Sequence, residues 1–195
     1  MNTEIEVKFV DINHDDIRNK LRKLGGVLEQ PMLMMRRVTI DSSTMKPKNA
    51  FLRVRDEGYR TTLTYKEFTT LSVDGAKEIE IIVSDFQATV DLLAAAGLPY
   101  SSFQESKRET WKLGSTEIVL DMWPWLNPYI EIEGESEKLV REVAANLGLE
   151  WENAVFGDVM AAYRMQYPHI GESQTIGGID KVRFDDPIPE FLQSK

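Results

Sequence analysis

Glu4, Glu6 and Lys8 occupy alternate positions of Glu-Ile-Glu-Val-Lys near the start of the chain. Successive strand residues point to opposite faces, so these three side chains share one face and Ile5, Val7 and Phe9 the other. Two carboxylates so placed repel each other unless a cation lies between them. A hard divalent metal, which prefers oxygen ligands, would resolve that repulsion. The acidic alternation recurs at Glu78-Ile79-Glu80 and Glu131-Ile132-Glu133, with Asp121 on the preceding strand. Basic rows lie between: Arg53-Val54-Arg55, Thr64-Tyr65-Lys66 and Lys107-Arg108. A solvated face would mix these charges with Ser, Thr and Gln; segregation of acids and bases by strand instead fits a sheet that curls its charged faces together. Acids on some strands would hold metal, and bases on others an anion too highly charged for one cation.

The elements that must position these residues are legible from apolar spacing. Residues 3–10 read as a strand, and Asp11 to Asp15 start a helix with Ile17, Leu21 and Leu24 on one face, stopped at Gly25-Gly26. Val27 to Asp41 is extended, Ser42 to Asn49 a polar loop. Phe51 to Asp56 and Arg60 to Phe68 form a hairpin, and Ala76 to Val83 alternates again. Asp85 caps a helix that ends at Gly97; strands follow at 100–112, 117–122 and 129–133, then helices at 136–147 and 158–166. About eight strands joined mostly by short turns make an α+β fold with a largely antiparallel sheet. A closed barrel of that size encloses room for one small ligand. The expected organisation is one domain over residues 1–166 and a tail over 167–195, either loosely ordered or docked on the domain.

The chain has 195 residues, 42% hydrophobic and 28% charged, with a formal net charge of −9. That balance argues against nucleic-acid binding, which needs a basic surface. No apolar run suits a membrane span. Cysteine is absent and only His14 and His169 are present, which excludes thiolate metal sites and disfavours a histidine-rich one. The expected compartment is the cytoplasm and the expected partner a small anionic molecule. Met32, Met34 and Met35 read as core or rim packing. Of Arg36 and Arg37, alternation sends only one inward, and the pattern does not choose between them. Trp123 and Trp125 flank Pro124 in a turn that would cap one tunnel end or form an oligomer contact, such as that of a homodimer.

Glu-x-Glu-x-Lys, Leu-Arg-Val-Arg, Thr-Tyr-Lys, Glu-Ile-Glu, Lys-Arg-Glu-Thr-Trp and Asp…Glu-Ile-Glu-Gly follow one another over roughly residues 2–165. In that order they resemble the CYTH superfamily, the triphosphate tunnel metalloenzymes, which include class IV adenylyl cyclases, thiamine triphosphatases and inorganic triphosphatases. The resemblance implies a closed antiparallel eight-stranded β-barrel, helices outside, holding a triphosphate with Mg²⁺ or Mn²⁺. It implies metal ligation or water positioning by Glu4, Glu6, Asp121, Glu131 and Glu133, with Glu4, Glu6 and Lys8 the catalytic group. Lys8, Arg53, Arg55, Lys66 and Arg108 would grip phosphate oxygens. Lys181 or Arg183 would close the tunnel from the tail. Glu78, Glu80 and Lys107 are further candidates without a fixed role. The implied activity is a metal-dependent triphosphatase; the alternatives are an adenylate cyclase and a non-catalytic polyphosphate binder. Family cyclases often carry a His-Phe pair before Glu-x-Glu-x-Lys, where this chain has Met1-Asn2-Thr3, which leans the expectation toward hydrolysis.

Overall fold

The inside of this molecule is charged, and most of its buried apolar surface lies on the outer wall, under helices, while Ile79 and Ile81 of one strand stay exposed. The computed structural model describes residues 1–193. One antiparallel sheet runs in the order β1 (Asn2–Glu4), β6 (Ala76–Val83), β5 (Thr61–Phe68), β4 (Ala50–Asp56), β3 (Val27–Ile40), β7 (Ser102–Leu113), β8 (Thr116–Trp123), β9 (Leu126–Glu133) and β2 (Glu6–Phe9). The first and last of these strands are consecutive in the chain. The N-terminal segment changes partner at Ile5, pairing with β6 before it and with β9 after it, so the sheet is nearly closed into a barrel. Counted as one segment, β1 and β2 give the eight strands expected from sequence.

Period-two alternation decides which side chains enter. On β2 and β9, Val7, Phe9, Ile130 and Ile132 face outward into a core shared with α1 (His14–Lys23) and α3 (Glu137–Asn146). Each of these buried apolar side chains contributes about 1.5–3 kcal/mol. Asn13 starts α1 by accepting from the amides of Asp15 and Asp16, and Ser136 starts α3 by accepting from Leu139. On the opposite wall α2 (Phe86–Ala95), capped by Asp85, lays Val90 and Leu93 over Val38, Ile40 and Val54. With these faces satisfied outside, the alternate positions of the same strands have only the barrel interior left.

A third cluster joins α4 (Val159–Gln166) and the chain beyond it to one barrel end: Trp123, Tyr129, Met160, Tyr163, Ile170, Ile176, Val182 and Leu192. There β10 (Lys181–Val182) runs parallel to β7, and Phe103 N donates to Asp180 O at 2.9 Å. The β8–β9 hairpin is tighter than the sequence suggests: β9 begins at Leu126, and Trp125 takes the left-handed conformation, φ 62°, that closes the turn. Among the described residues no helix is long and apolar enough to cross a membrane.

Candidate functional site

The barrel encloses a cavity of about 840 Å³ lined by nine basic and ten acidic side chains. Every strand of the barrel supplies at least one charged side chain to it. Glu4, Glu6 and Lys8 come from the N-terminal segment, Arg53 and Arg55 from β4, Lys66 from β5, and Glu78 and Glu80 from β6. Arg37 comes from β3, Arg108 from β7, Glu117 from β8, and Glu131 and Glu133 from β9. Three carboxylates stand close together because Glu6 is opposite Glu133, and Lys8 opposite Glu131, in the β2–β9 register.

Most of these charges are paired with one another. Lys66 Nζ lies 2.6 Å from Glu4 Oε2 and 3.2 Å from Glu6 Oε1. Lys8 Nζ lies 3.5 Å from Glu6 Oε1 and 3.3 Å from Glu131 Oε1. Arg108 donates to both oxygens of Asp121, at 2.8 and 2.5 Å, and to Glu131 Oε2 at 2.8 Å. Thr64 donates to Glu80 (2.8 Å) and accepts from Arg53 (3.2 Å), while Glu80 Oε2 also lies 3.5 Å from Arg53. Glu80 therefore orders the β4 arginines. Glu57, in the β4–β5 turn, holds Arg55 at 2.5 Å and Arg60 at 2.6 Å.

Electrostatics divides the site. Burial, the largest influence, would raise the Glu6 and Glu131 carboxyls, but Lys8 and Lys66 together at Glu6, and Lys8, Arg108 and Lys66 together at Glu131, outweigh it and hold both below the usual carboxylate range. Burial likewise opposes the charge on Lys8 and Arg108, and their carboxylates push both upward. Glu78 and Glu133 behave oppositely. Burial, then the nearby Glu4, pushes Glu78 up to about 7; burial, then Glu4 and Glu6, does the same to Glu133. Arg53 is pulled down to about 10 by burial and by Arg55 beside it.

Three expected site residues lie elsewhere. Asp121 is fully buried, both oxygens are engaged by Arg108, and it does not line the cavity, so in this arrangement it holds an arginine rather than offering a free metal ligand. Lys107 points away: its ammonium sits 4.9 Å over the Phe184 ring. Lys181 is exposed on β10, in an outer groove with Arg36, Glu105 and Arg183, and does not reach the tunnel. The tail residues that do line the cavity are Thr175, Ile176, Gly177 and Gly178. Sequence reasoning left Arg37 undecided and gave no role to Tyr129, Gln104, Glu57 or Arg60.

Among the described residues no three acidic or histidine side chains are already drawn together at metal-binding spacing. The donor set nevertheless fits a hard divalent cation. All its candidate ligands are carboxylate oxygens, and Glu4 Oε2 is buried without a hydrogen bond despite its approach to Lys66. Burial and the neighbouring glutamates keep Glu78 and Glu133 protonated to about pH 7, and a bound cation would relieve that repulsion. Near-balance of acids and bases adds to this. A bare triphosphate gains little net attraction from such a lining unless the carboxylates are covered.

Comparison with solved structures returns this architecture. A protein from Pyrococcus horikoshii (PH1012) is 26% identical, with TM-score 0.67, over 77% of this chain and 93% of its own. A Vibrio parahaemolyticus protein assigned to the adenylate cyclases superposes with TM-score 0.71 at 13% identity, over 82% of this chain and 96% of its own. A Hippeastrum protein assigned as an adenylyl cyclase, with a dominant triphosphatase activity, gives 0.55 at 15% identity over 84% and 96%. No curated protein sequence matches the chain. The CYTH domain profile matches residues 2–155, most of the length, and the chain belongs to the CYTH family.

Proposed function

We propose that the protein is a metal-dependent phosphohydrolase that cleaves the terminal phosphoryl group of a triphosphate held in the barrel. The observation that carries this reading is the segregated lining. Cations on β4, β5 and β7 face an excess of carboxylates contributed by the N-terminal segment, β6 and β9. Phosphoryl transfer asks little covalent chemistry of a protein; it asks for charge on the phosphate oxygens, positioning and an oriented nucleophile. The Hippeastrum protein supports the reading at the level of fold, since a barrel of this kind there carries a triphosphatase activity.

Arg53 and Arg55 offer planar forks suited to bidentate phosphate contact, and Glu80 and Glu57 keep them oriented. Lys8, Lys66 and Arg108 exchange carboxylate partners for phosphate oxygens when substrate enters. Glu4, Glu6, Glu78, Glu131 and Glu133 would hold Mg²⁺ or Mn²⁺, which when bound supplies charge against the phosphate oxygens and acidifies water. Attack of water oxygen on the terminal phosphorus breaks the bridging P–O bond, and diphosphate leaves. Glu133, exposed on the cavity side, would be a metal ligand whose carboxylate also orients the attacking water. An adenylate cyclase would need the same grip and also a nucleoside held with its 3′-hydroxyl aimed at the α-phosphorus. Hydrolysis needs only what the lining supplies.

The test compares tripolyphosphate, thiamine triphosphate and ATP with Mg²⁺ or Mn²⁺, measuring orthophosphate and, for ATP, cyclic AMP. Metal-dependent orthophosphate release without cyclic AMP is expected. Cyclic AMP with diphosphate would replace the reading by a cyclase, and tight binding without turnover by a polyphosphate binder.

A further inference from the structure

Of the basic side chains lining the cavity, Arg37 alone among the described residues has no carboxylate within salt-bridge distance. Lys8, Lys46, Arg53, Arg55, Arg60, Lys66, Arg108 and Lys112 each have one. Arg37 is also 94% buried by its 6% exposure. Its Nη2 donates to Ser106 Oγ at 2.7 Å, its guanidinium carbon lies 4.4 Å over the Trp123 ring, and its Nε is buried without a hydrogen-bond partner. Burial, then repulsion by Arg55, Arg53 and Arg108, pulls its pKa well down. A buried charge lacking a counter-ion is among the costliest arrangements a fold can keep. The ring and the hydroxyl fix where the guanidinium sits, and neither neutralises it.

We propose that Arg37 is a substrate-binding residue that, with Arg53, forms an anion subsite at the Trp123 side of the tunnel for the phosphoryl group not covered by metal. The inference deepens the tunnel assignment above and rests on its being an anion site, though not on its being catalytic. The position belongs to β3, a strand that carries none of the acidic or basic alternations, so it adds a strand to the phosphate grip. Thr39 Oγ1, buried without a partner, leaves a further donor on this side. No carboxylate competes for Arg37, so it is available to a ligand before any ion pair has opened.

The experiment measures tripolyphosphate binding by calorimetry, with and without Mg²⁺, together with the melting temperature of the ligand-free protein. Wild type, Arg37→Gln and Arg37→Lys are compared, with Arg183→Gln in the outer groove as control. Loss of one charge-assisted contact weakens binding roughly ten- to a hundredfold. Arg37→Gln is expected to show that loss with and without Mg²⁺ and to melt higher than wild type when ligand-free, since an unmatched charge has gone. Arg37→Lys, keeping charge but not the fork, should recover part of the affinity. Unchanged affinity in Arg37→Gln, or a lower ligand-free melting temperature, makes Arg37 a structural residue and overturns the proposal. If wild type binds tripolyphosphate but turns over nothing, the hydrolase reading falls and the subsite stands. If wild type does not bind tripolyphosphate, the subsite falls.

Discussion

Two sides of the same tunnel solve the problem of buried charge in opposite ways. Around Lys8, Lys66 and Arg108, every cation is matched by carboxylates at 2.5–3.5 Å, and burial is offset by those partners. Around Arg37, which has no carboxylate partner among the described residues, and Arg53, whose one such partner is Glu80 at 3.5 Å, the cations repel one another and their pKa values fall. The matched side is complete without a ligand, and any ligand there must displace partners. The unmatched side is incomplete, and that marks where an anion adds most. Acid excess at Glu78 and Glu133 is the mirror image, a place where a cation adds most.

The largest expected effect comes from breaking the matched side. Arg108→Met leaves Asp121, fully buried, and Glu131 without their shared partner. Removing one member of a buried pair typically costs about 3–5 kcal/mol. Urea denaturation should show a loss of that size, together with loss of tripolyphosphate binding. The double variant Arg108→Met/Asp121→Leu should regain part of the stability and none of the binding. A loss under about 1 kcal/mol in the single variant would mean that the matched side is no more self-sufficient than the Arg37 side.

A second test separates the acid excess from the matched carboxylates by the sign of their pH dependence. Glu78 and Glu133 titrate at about 7 in the fold against 4.5 ordinarily, so the folded chain keeps protons that the unfolded chain has released. Stability contributed by these two groups therefore falls as pH rises from about 4.5 to about 7. Glu6, Glu131 and Glu57 are lowered, Glu57 to about 2, so their contribution is complete above 4.5 and is lost only as pH falls below it. His14, pushed down by burial, opposes the trend by at most one proton below pH 6.5. Without divalent cation the melting temperature should decline between pH 5 and pH 8. Mg²⁺ or Mn²⁺ should raise it more at pH 8 than at pH 5.5. An equal metal effect at both values would remove the acid excess as the metal's attraction.

Alternation made most of this geometry legible in sequence, because Arg53 and Arg55 on β4, Lys66 on β5, Glu78 and Glu80 on β6, and Glu131 and Glu133 on β9 alternate with apolar neighbours. Arg37 escaped because β3 shifts register against β7 between Leu28 and Gln30 and again between Gln30 and Leu33. A one-residue slip reverses every later side chain, so the inward phase at Arg36-Arg37 cannot be extrapolated along the strand. Asp121 has the inward phase, but the β7–β8 register sets it opposite Arg108, a pairing between strands that neither strand's own pattern contains. The tail offered no period, and Lys181 could be guessed inward only by its charge. In the fold it is Val182 that is buried and Lys181 that faces solvent.

The smallest expected effect probes how the unmatched side keeps Arg37 in place. Trp123 contributes a ring face 4.4 Å from the guanidinium and an indole N–H that has no partner, so Trp123→Phe removes little hydrogen bonding. Phe keeps a weaker cation–π surface, worth about 0.5–1 kcal/mol less at a site of this kind. The variant should change unfolding free energy by under about 1 kcal/mol and weaken tripolyphosphate about two- to fivefold. In Arg37→Gln/Trp123→Phe the second substitution should have no further effect on binding, since the ring acts on the ligand only through the guanidinium. Additive losses would instead place the indole nitrogen itself against the phosphate, and the unmatched side would then owe its affinity to two donors rather than to one charge.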